Sequence, residues 1–373
     1  MKAIHCVYDD KFIDGAISLF ESDKRVQNDY VIFCSTSELE RPFRYIKSDK
    51  VKRVCKNSFV DTVNKYDILY LHSWFSVNAP SLLKLKDSVK IVWFSWGWDY
   101  YNRNVVPLNL YGPETKEIID NQFGFNRLKD CLINIRRSRR FASFDKVIRR
   151  IDYFSGVFPY EYDLLKEYWP QMKARPVDFY YGSTNFFIPE DINHEVKNTF
   201  ENVLVGNSNT PGNNHLDAFN YLKKSGLSFS GKLILPLSYG TNKGYRDAVV
   251  SKAHSIWGDR VLVLDHYLPL DEYTKIVSNC KIAVFFHERQ QASDNVFMQL
   301  QYGAKVYMSE SSLMFKYLKS KGYHIYSLQK DSDIINENLT NSQIIDNRRL
   351  LSNNYSSSKL ISRVNDIVSI LIS

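Results

Sequence analysis

Three side chains that can bind or release a proton each follow an apolar run in the first half of the chain. They are Asp10, His72 and Asp99, and the runs are residues 3–8, 67–71 and 89–95. Short apolar runs without alternation are typical of parallel strands covered on both faces. Because parallel strands end at one edge, the three groups are predicted to line one rim, where a carboxylate or imidazole can perform acid–base chemistry. Taken singly, the two aspartates also fit caps or turns, and the histidine fits a hydrogen-bonded core residue.

A glycine followed by two small polar residues ends another apolar run. Gly206, Asn207 and Ser208 come directly after residues 202–205. Glycine lets a ligand approach the backbone closely, and Asn and Ser supply small hydrogen-bonding groups. The same residues are also common in ordinary turns. The position favours a ligand site at the end of this strand.

A cationic segment stands between a very apolar strand and a helix. Arg289, Gln290 and Gln291 follow residues 281–286, and the helix begins near Asn295. A helix start offers N–H groups and positive potential, and an arginine adds two charged donors, which together suit a phosphate. A surface arginine near a helix start is the structural alternative.

The elements that must position these groups form the same alternation of strands and helices in both halves of the chain. Further strands are predicted at 30–34, 153–158 and 177–181, then at 231–235, 261–264 and 305–308, with a helix at 15–21. Helical segments between the strands predict βαβ units. The expected fold is α/β, with two doubly wound Rossmann-like lobes and an inter-lobe cleft. We predict an N-terminal lobe at 1–185, a C-terminal lobe at 200–345 and a helical tail at 346–373.

Composition and missing motifs exclude several classes of protein. The 373 residues are 44% hydrophobic and 24% charged, as in a globular protein, and 49 basic against 41 acidic residues give a net charge of +8 that permits an anionic partner. There is no G-x-G-x-x-G motif after the first strand and no P-loop. The five cysteines form no C-x-x-C pair, and Asp331-Ser332-Asp333 lies in a polar stretch that favours a solvated loop. No metal and no cofactor are predicted.

The location of the protein follows from its charges. The first ten residues contain two aspartates where a signal peptide needs apolar residues, and no apolar run of about 18 residues occurs. We therefore expect a cytoplasmic protein. Residues 136–150 carry seven cations against one acid, which favours either a solvated helix face or docking on the inner membrane through Arg136, Arg137, Arg139 and Arg140. The aromatic residues here do not alternate with these charges as stacking platforms would, so a nucleic-acid partner is not predicted.

Several blocks occur in an order that resembles one enzyme family. They are Leu71-His72 before Trp74-Phe75, Trp96-Gly97 with Asp99, Val205-Gly206-Asn207-Ser208, Pro236 with Tyr239, Tyr273 with Cys280, and Arg289-Gln290-Gln291 with Gly303. The chain resembles glycosyltransferase family 56, the TDP-N-acetylfucosamine:lipid II N-acetylfucosaminyltransferases of enterobacterial common antigen synthesis. The blocks extend over roughly residues 1–325, and the VGNS and RQQ blocks are the most specific.

The resemblance implies a GT-B fold and a metal-independent transferase. It implies transfer of an N-acetylfucosamine-like deoxyamino sugar from a TDP-sugar to a lipid-linked or surface-glycan acceptor. The acceptor would meet Asp10, His72 and Asp99 in the first lobe. The donor would meet Gly206, Asn207, Ser208, Tyr239, Arg289, Gln290, Gln291 and Asn295, with its nucleobase near Tyr267 and Leu268.

Three alternatives remain open at this point. If the anomeric centre inverts, Asp10 is the expected base and Asp99 the second choice, whereas a retaining route needs no enzyme base. Residues 292–295 (ASDN) replace glycines of the family, so a UDP- or GDP-sugar donor and an O-antigen or capsule acceptor stay possible. A non-catalytic nucleotide-sugar or glycan-binding protein is the rival from another class.

Overall fold

The chain divides into two compact units, each built from separate stretches of sequence. The first comprises Met1–Pro107, Leu128–Phe187 and Tyr355–Ser373, and the second comprises Leu108–Arg127 and Ile188–Asn354. The computed structural model describes residues 1–73, 79–97, 99–101, 108–123, 145–181 and 201–373. The predicted lobe boundary at 185–200 therefore falls outside the described residues.

The first unit contains a seven-stranded parallel sheet. Its strands are β1 (Lys2–Cys6), β2 (Gln27–Cys34), β3 (Val51–Cys55), β4 (Ile68–His72), β5 (Lys90–Phe94), β6 (Tyr153–Ser155) and β7 (Arg175–Pro176), in the order β3-β2-β1-β4-β5-β6-β7. The four C-terminal residues of β1 and all of β4 are buried, as their apolar sequences predict. The strand order reverses between β1 and β4, and ligands of doubly wound folds bind at the carboxyl ends of the strands beside this reversal.

The second unit repeats this arrangement with six parallel strands. They are β8 (Asn202–Val205), β9 (Leu233–Pro236), β10 (Val261–Leu264), β11 (Cys280–Phe285), β12 (Lys305–Met308) and β13 (Ile325–Ser327), in the order β10-β9-β8-β11-β12-β13. Here the order reverses between β8 and β11. The predicted architecture of two doubly wound parallel α/β units is confirmed.

Eleven helices are described. They are α1 (Ile13–Phe20), α2 (Phe59–Val63), α3 (Pro113–Phe123), α4 (Tyr160–Tyr168), α5 (His215–Lys224), α6 (Lys243–Trp257), α7 (Leu270–Val277), α8 (Ser293–Tyr302), α9 (Leu313–Ser320), α10 (Asn341–Tyr355) and α11 (Ser357–Ile372). Within the described ranges, no helix has the length and apolar character needed to cross a bilayer.

Two parts of the strand prediction differ from the structure. The edge strands β3 and β13 were not predicted, because one alternates with charged residues and the other has only three residues. The predicted strand at 177–181 is wrong. The hydroxyl of Ser155 accepts from Phe179 N–H at 2.9 Å and donates to its carbonyl at 3.2 Å. These bonds replace the strand ladder, so the chain leaves the sheet after β7.

Candidate functional site

The first cluster of polar groups lies at the carboxyl edge of the first sheet. Asp10 follows β1, His72 ends β4 and Asp99 follows β5. Tyr181 lies among them, because it hydrogen bonds to His72 and feels the charges of both aspartates. The fold thus places on one edge the three residues that were predicted because each follows an apolar strand.

Asp10 has the properties of a proton acceptor. Its carboxylate is half-buried, and Oδ1 accepts a hydrogen bond from Phe12 N–H at 3.2 Å. Burial raises the pKa of Asp10 above its ordinary value, although the Phe12 N–H and the charge of Lys11 act in the opposite direction. A carboxylate with a raised pKa is a better base than an ordinary aspartate.

The neighbouring Asp9 has a different role. Its carboxylate accepts backbone N–H groups from Arg44, Tyr45 and Ile46, the last two at 2.9 and 3.2 Å. Burial opposes ionisation, but these hydrogen bonds lower the pKa of Asp9 overall. Asp9 therefore fixes the 44–46 loop and stays ionised.

Asp99 is held firmly by its surroundings. It is 2% exposed, Oδ1 accepts from Ser73 Oγ at 2.6 Å, and Oδ2 accepts from Trp93 Nε1 at 3.0 Å. Ser73 has a φ of +77°, an uncommon conformation for a residue other than glycine. Both oxygens of Asp99 are thus engaged with protein groups, which suits an anchoring role more than proton abstraction.

His72 forms part of a buried chain of hydrogen bonds. Its Nε2 lies 2.9 Å from His5 Nδ1, and its Nδ1 lies 2.9 Å from the Tyr181 hydroxyl. His5 Nε2 in turn lies 3.2 Å from Asn28 Oδ1. Because His72 is fully buried and both its nitrogens are hydrogen bonded, its ring can act on a ligand at this edge only through Tyr181.

Aromatic rings form a wall beside these carboxylates. The Trp96 ring stands edge-on to Tyr181 at a centroid distance of 5.6 Å, and Phe12 lies 6.3 Å from Tyr181. Tyr8 lies 6.1 Å from Trp96. All four rings are half-buried. Aromatic faces with polar groups at their edge are suited to a sugar ring.

The second cluster lies where β8 and β11 separate in the second sheet. Gly206 follows β8 with a φ of +71°, and a Cβ at this position would lie 2.2 Å from His215 Nε2. His215 is fixed beneath it by the Tyr245 hydroxyl, 3.0 Å from both Nδ1 and the backbone nitrogen of His215. Only glycine fits here, because the backbone after β8 packs closely on His215.

The side-chain amide of Asn213 shapes the loop after Gly206. Nδ2 donates to the carbonyls of Ser208 and Thr210 at 3.0 Å each, so Oδ1 is the acceptor. Oδ1 receives Asn207 N–H at 3.0 Å and lies 3.3 Å from His287 Nε2. The loop is therefore held in one shape by a single buried side chain.

The Arg289–Gln291 segment joins this loop. Gln291 Nε2 donates to Asn207 Oδ1 and to Thr210 Oγ1, both at 3.2 Å, and an Arg289 guanidinium nitrogen donates to Gln290 O at 2.8 Å. The helix α8 begins immediately afterwards. The residue before it, Ala292, has a φ of +58° and no side-chain oxygen to cap the helix. Such a helix start is suited to an anion.

Four buried side-chain atoms at this edge have no hydrogen-bond partner among the described residues: Asn209 Oδ1, His215 Nε2, His287 Nδ1 and Gln291 Oε1. Burial, together with the nearby charges of Arg289 and His215, lowers the pKa of His287 to about 3. The ring is therefore neutral, with a lone pair on Nδ1. His287 was not among the predicted site residues, although it lies just after β11, in the same position relative to its strand as the predicted residues.

The remaining predicted donor residues are spread along the same edge. Tyr239 follows β9, is 68% exposed, and its carbonyl accepts Asn209 N–H at 2.7 Å. Asn295 lies in the first turn of α8 and accepts from the Tyr273 hydroxyl at 2.7 Å. Tyr267 and Leu268 follow β10, the edge strand, and no contact described for them reaches the 206–213 loop.

The remaining predicted features are the basic segment and the Asp331-Ser332-Asp333 triplet. Arg136, Arg137, Arg139 and Arg140 lie outside the described residues. Arg150, from the same basic stretch, donates to Asp152 and to the carbonyls of Lys86 and Val89 at 2.8–3.0 Å, so it serves the fold. Asp331 accepts Ser327 N–H at 2.7 Å in the turn after β13. In the part of the chain that the structure describes, no three His, Cys, Asp or Glu side chains are grouped to hold a metal ion.

Several solved structures share this architecture. Anabaena Alr3699/HepE, in a complex with UDP and glucose, is 12% identical with a TM-score of 0.60, covering 99% of this chain and 100% of its own. Sucrose-phosphate synthase from Thermosynechococcus elongatus is 10% identical with a TM-score of 0.66, covering 100% and 98%. A glycosyltransferase from Rickettsia africae is 10% identical with a TM-score of 0.63, covering 100% and 98%. The fold is that of the GT-B glycosyltransferases.

The family is defined by the sequence itself. Residues 136–358, more than half of the chain, match the family described as 4-alpha-L-fucosyltransferase, glycosyl transferase group 56. The chain belongs to this family of glycosyltransferases. The family predicted from the blocks is confirmed.

Proposed function

We propose that this protein transfers an N-acetylfucosamine-like deoxyamino sugar from a TDP-sugar to a lipid-linked or surface-glycan acceptor. The observation that carries the proposal is the glycine-lined loop after β8, joined by Gln291 to the start of α8. This is the arrangement that a nucleoside diphosphate requires. Membership of family 56, which is described as a 4-alpha-L-fucosyltransferase family, supports a fucose-like sugar. The UDP bound to Anabaena HepE supports the class of donor.

The donor diphosphate would bind between the backbone after Gly206 and the first turn of α8. Arg289 would neutralise the charge that develops on the departing nucleotide, the role a metal ion has in other transferases. His287 Nδ1 and Gln291 Oε1 would accept hydroxyl or amide hydrogens of the donor sugar. Tyr239 has an exposed ring, and its carbonyl accepts Asn209 N–H from this loop, so its ring is suited to stack on the nucleobase.

The acceptor would bind at the edge of the first sheet. Asp10 would take the proton of the attacking hydroxyl in an inverting reaction, because it is half-buried and has a raised pKa. Asp99 would fix the geometry, since both its oxygens are engaged. If the configuration is retained, the leaving phosphate would accept the proton and Asp10 would orient the acceptor.

The place of action would be the inner face of the cytoplasmic membrane. A polyprenyl-diphosphate acceptor is confined to a membrane, and the basic segment 136–140 would attract its anionic surface.

Mass spectrometry of reaction products tests the proposal. Purified protein is incubated with a panel of TDP- and UDP-sugars and polyprenyl-diphosphate-linked glycans, with and without excess EDTA. We expect one added deoxyamino sugar, from a TDP donor, in both conditions. Loss of transfer in EDTA that magnesium restores would overturn the metal-independent mechanism. Calorimetric binding of TDP without transfer to any acceptor would instead support a nucleotide-sugar-binding protein.

A further inference from the structure

We propose that Tyr181 binds the acceptor, its hydroxyl oxygen accepting a hydrogen bond from a group beside the attacking hydroxyl, and that His5 and His72 fix the direction of its O–H bond. The inference rests on the proposed function and adds a residue and a specificity to it. The observation behind it is the chain of hydrogen bonds that runs from Asn28 to Tyr181 through the centre of the first sheet.

The direction of every proton in this chain follows from Asn28. Its Nδ2 has only acceptors around it: the carbonyl oxygens of Phe20 and Val26 and a carboxylate oxygen of Glu21, at 3.4–3.5 Å. The amide oxygen must therefore face His5. An oxygen that can only accept requires a proton on His5 Nε2.

The two histidines transmit this direction because both are neutral. Burial lowers the pKa of His5 to about 3, and burial together with His5 lowers the pKa of His72 well below its ordinary value. A neutral imidazole with a proton on Nε2 has a lone pair on Nδ1. His5 Nδ1 therefore accepts from His72 Nε2, and His72 Nδ1 accepts from the Tyr181 hydroxyl.

The consequence is that Tyr181 directs its proton inward. The phenol remains protonated, since burial raises its pKa well above the ordinary value. The charges of Asp99 and Asp10 act in the same direction as burial, and the Trp96 side chain, a hydrogen-bond donor beside the phenol, acts in the opposite direction. The oxygen can then offer only lone pairs to a ligand. Tyr181 and Asp10 together present two acceptors beside the aromatic wall of Trp96 and Phe12.

These two neighbouring hydrogen-bond acceptors determine which acceptor sugar fits. Asp10 accepts from the attacking hydroxyl, and Tyr181 accepts from a second donor on the same sugar, either a hydroxyl or an amide N–H. A sugar that is deoxygenated or O-methylated at that neighbouring position lacks the hydrogen that Tyr181 would accept. This predicts selection against such sugars at the acceptor terminus.

The kinetic test compares Tyr181→Phe with Tyr66→Phe. The latter also removes a hydrogen-bonded tyrosine hydroxyl from the first unit, 2.8 Å from Asp29 Oδ2. The probe is an alkyl diphosphate carrying one or two N-acetylhexosamine units, with a TDP-deoxyamino sugar as donor. Tyr181→Phe should lower kcat/KM for this acceptor about threefold to tenfold, the equivalent of one hydrogen bond, with unchanged calorimetric affinity for TDP. Tyr66→Phe should leave both values unchanged. Equal acceptor kinetics in wild type and Tyr181→Phe would overturn the proposal.

A double-mutant cycle tests the role of the histidines. His72→Phe should reduce acceptor kcat/KM less than Tyr181→Phe does, and it should cause no further reduction in the Tyr181→Phe background. Additive losses would overturn the idea that His72 acts through Tyr181.

Nuclear magnetic resonance provides a measurement that needs neither turnover nor the histidine variant. In protein labelled with ¹⁵N-histidine, His5 and His72 should both appear as neutral Nε2–H tautomers, and Tyr181→Phe should shift Nδ1 of His72. A cationic or Nδ1–H form of His72 would overturn the proton order. Absence of any transferase activity alongside the expected tautomers would instead count against the proposed function.

Discussion

Substitution of Gly206 by alanine tests the description of the donor loop. Gly206 has a φ of +71°, and a Cβ there would lie 2.2 Å from His215 Nε2 and 3.0 Å from Asn213 Oδ1. The left-handed backbone costs a non-glycine residue about 1–2 kcal/mol. Displacing a buried side chain in a packed region costs about 1–3 kcal/mol more. We expect the free energy of unfolding to fall by about 2–5 kcal/mol.

Gly226→Ala is the matched control. Gly226 belongs to the same unit and has a φ of +67°, and a Cβ there would have no atom within 4 Å. Alanine at this position therefore incurs the backbone cost alone, about 1–2 kcal/mol. The difference between the two variants isolates the contact with His215.

Urea denaturation and calorimetry are the assays. The urea series should show Gly206→Ala at least ~1 kcal/mol less stable than Gly226→Ala, the lower end of the cost of displacing the buried side chain. Titration with TDP should show a loss of affinity of about tenfold or more in Gly206→Ala, because the backbone at Asn207 moves, and no loss in Gly226→Ala. Equal stability and equal TDP affinity in the two variants would refute the close approach that we infer after β8.

The further predictions concern charged residues. Asp10→Asn should lower turnover about 10²–10⁴-fold. It should also slightly raise stability at neutral pH, because the raised pKa of Asp10 means that its ionised form is disfavoured in the folded protein. Asp9→Asn should instead lower stability by about 1–2 kcal/mol by weakening backbone hydrogen bonds. The wild-type rate should rise with pH through the raised pKa of Asp10, and an unchanged profile in Asp10→Asn would contradict its role as the base. Arg289→Ala should weaken TDP binding about tenfold or more, since a charged hydrogen bond is worth roughly 1.5–3 kcal/mol, and wild-type affinity would remove Arg289 from the site. Co-sedimentation with anionic vesicles should be strong at low salt and weak at high salt. It should be lost when Arg136, Arg137, Arg139 and Arg140 are all replaced by serine. Equal sedimentation of the wild type and this variant would favour a solvated helix face.

The sequence predicts the central strands of both sheets and the polar residues that follow them well, because an apolar run and the polar residue after it are local features. It places Asp10, His72 and Asp99 on one edge for this reason. The ends of the first sheet are predicted poorly. Whether the strand continues beyond Val177 depends on Ser155, whose hydroxyl hydrogen bonds to the backbone of Phe179.

The partners of the site residues are the part that the sequence could not supply. His5 lies inside β1, where a histidine gives no local sign of a function. Its importance comes from His72, 67 positions away, and from Tyr181, 109 positions beyond His72. Likewise, nothing in the sequence distinguishes Asn213 from the neighbouring Asn214, yet it is Asn213 that organises the donor loop.

The C-terminal helix has a consequence for synthesis of the protein. α11 belongs to the first unit, where Arg25 donates to Ser369 Oγ and to the carbonyl of Asn365 at 2.9 Å each, and Lys90 donates to the carbonyl of Leu371 at 2.6 Å. The buried side of α11 is Leu360, Val364, Ile367, Val368 and Leu371. On the ribosome, therefore, the unit that starts first is completed last. The second unit has all its residues by Asn354 and can fold while the first still exposes the surface that α11 will cover, so nascent chains released early should expose an apolar patch on the first unit to chaperones and proteases.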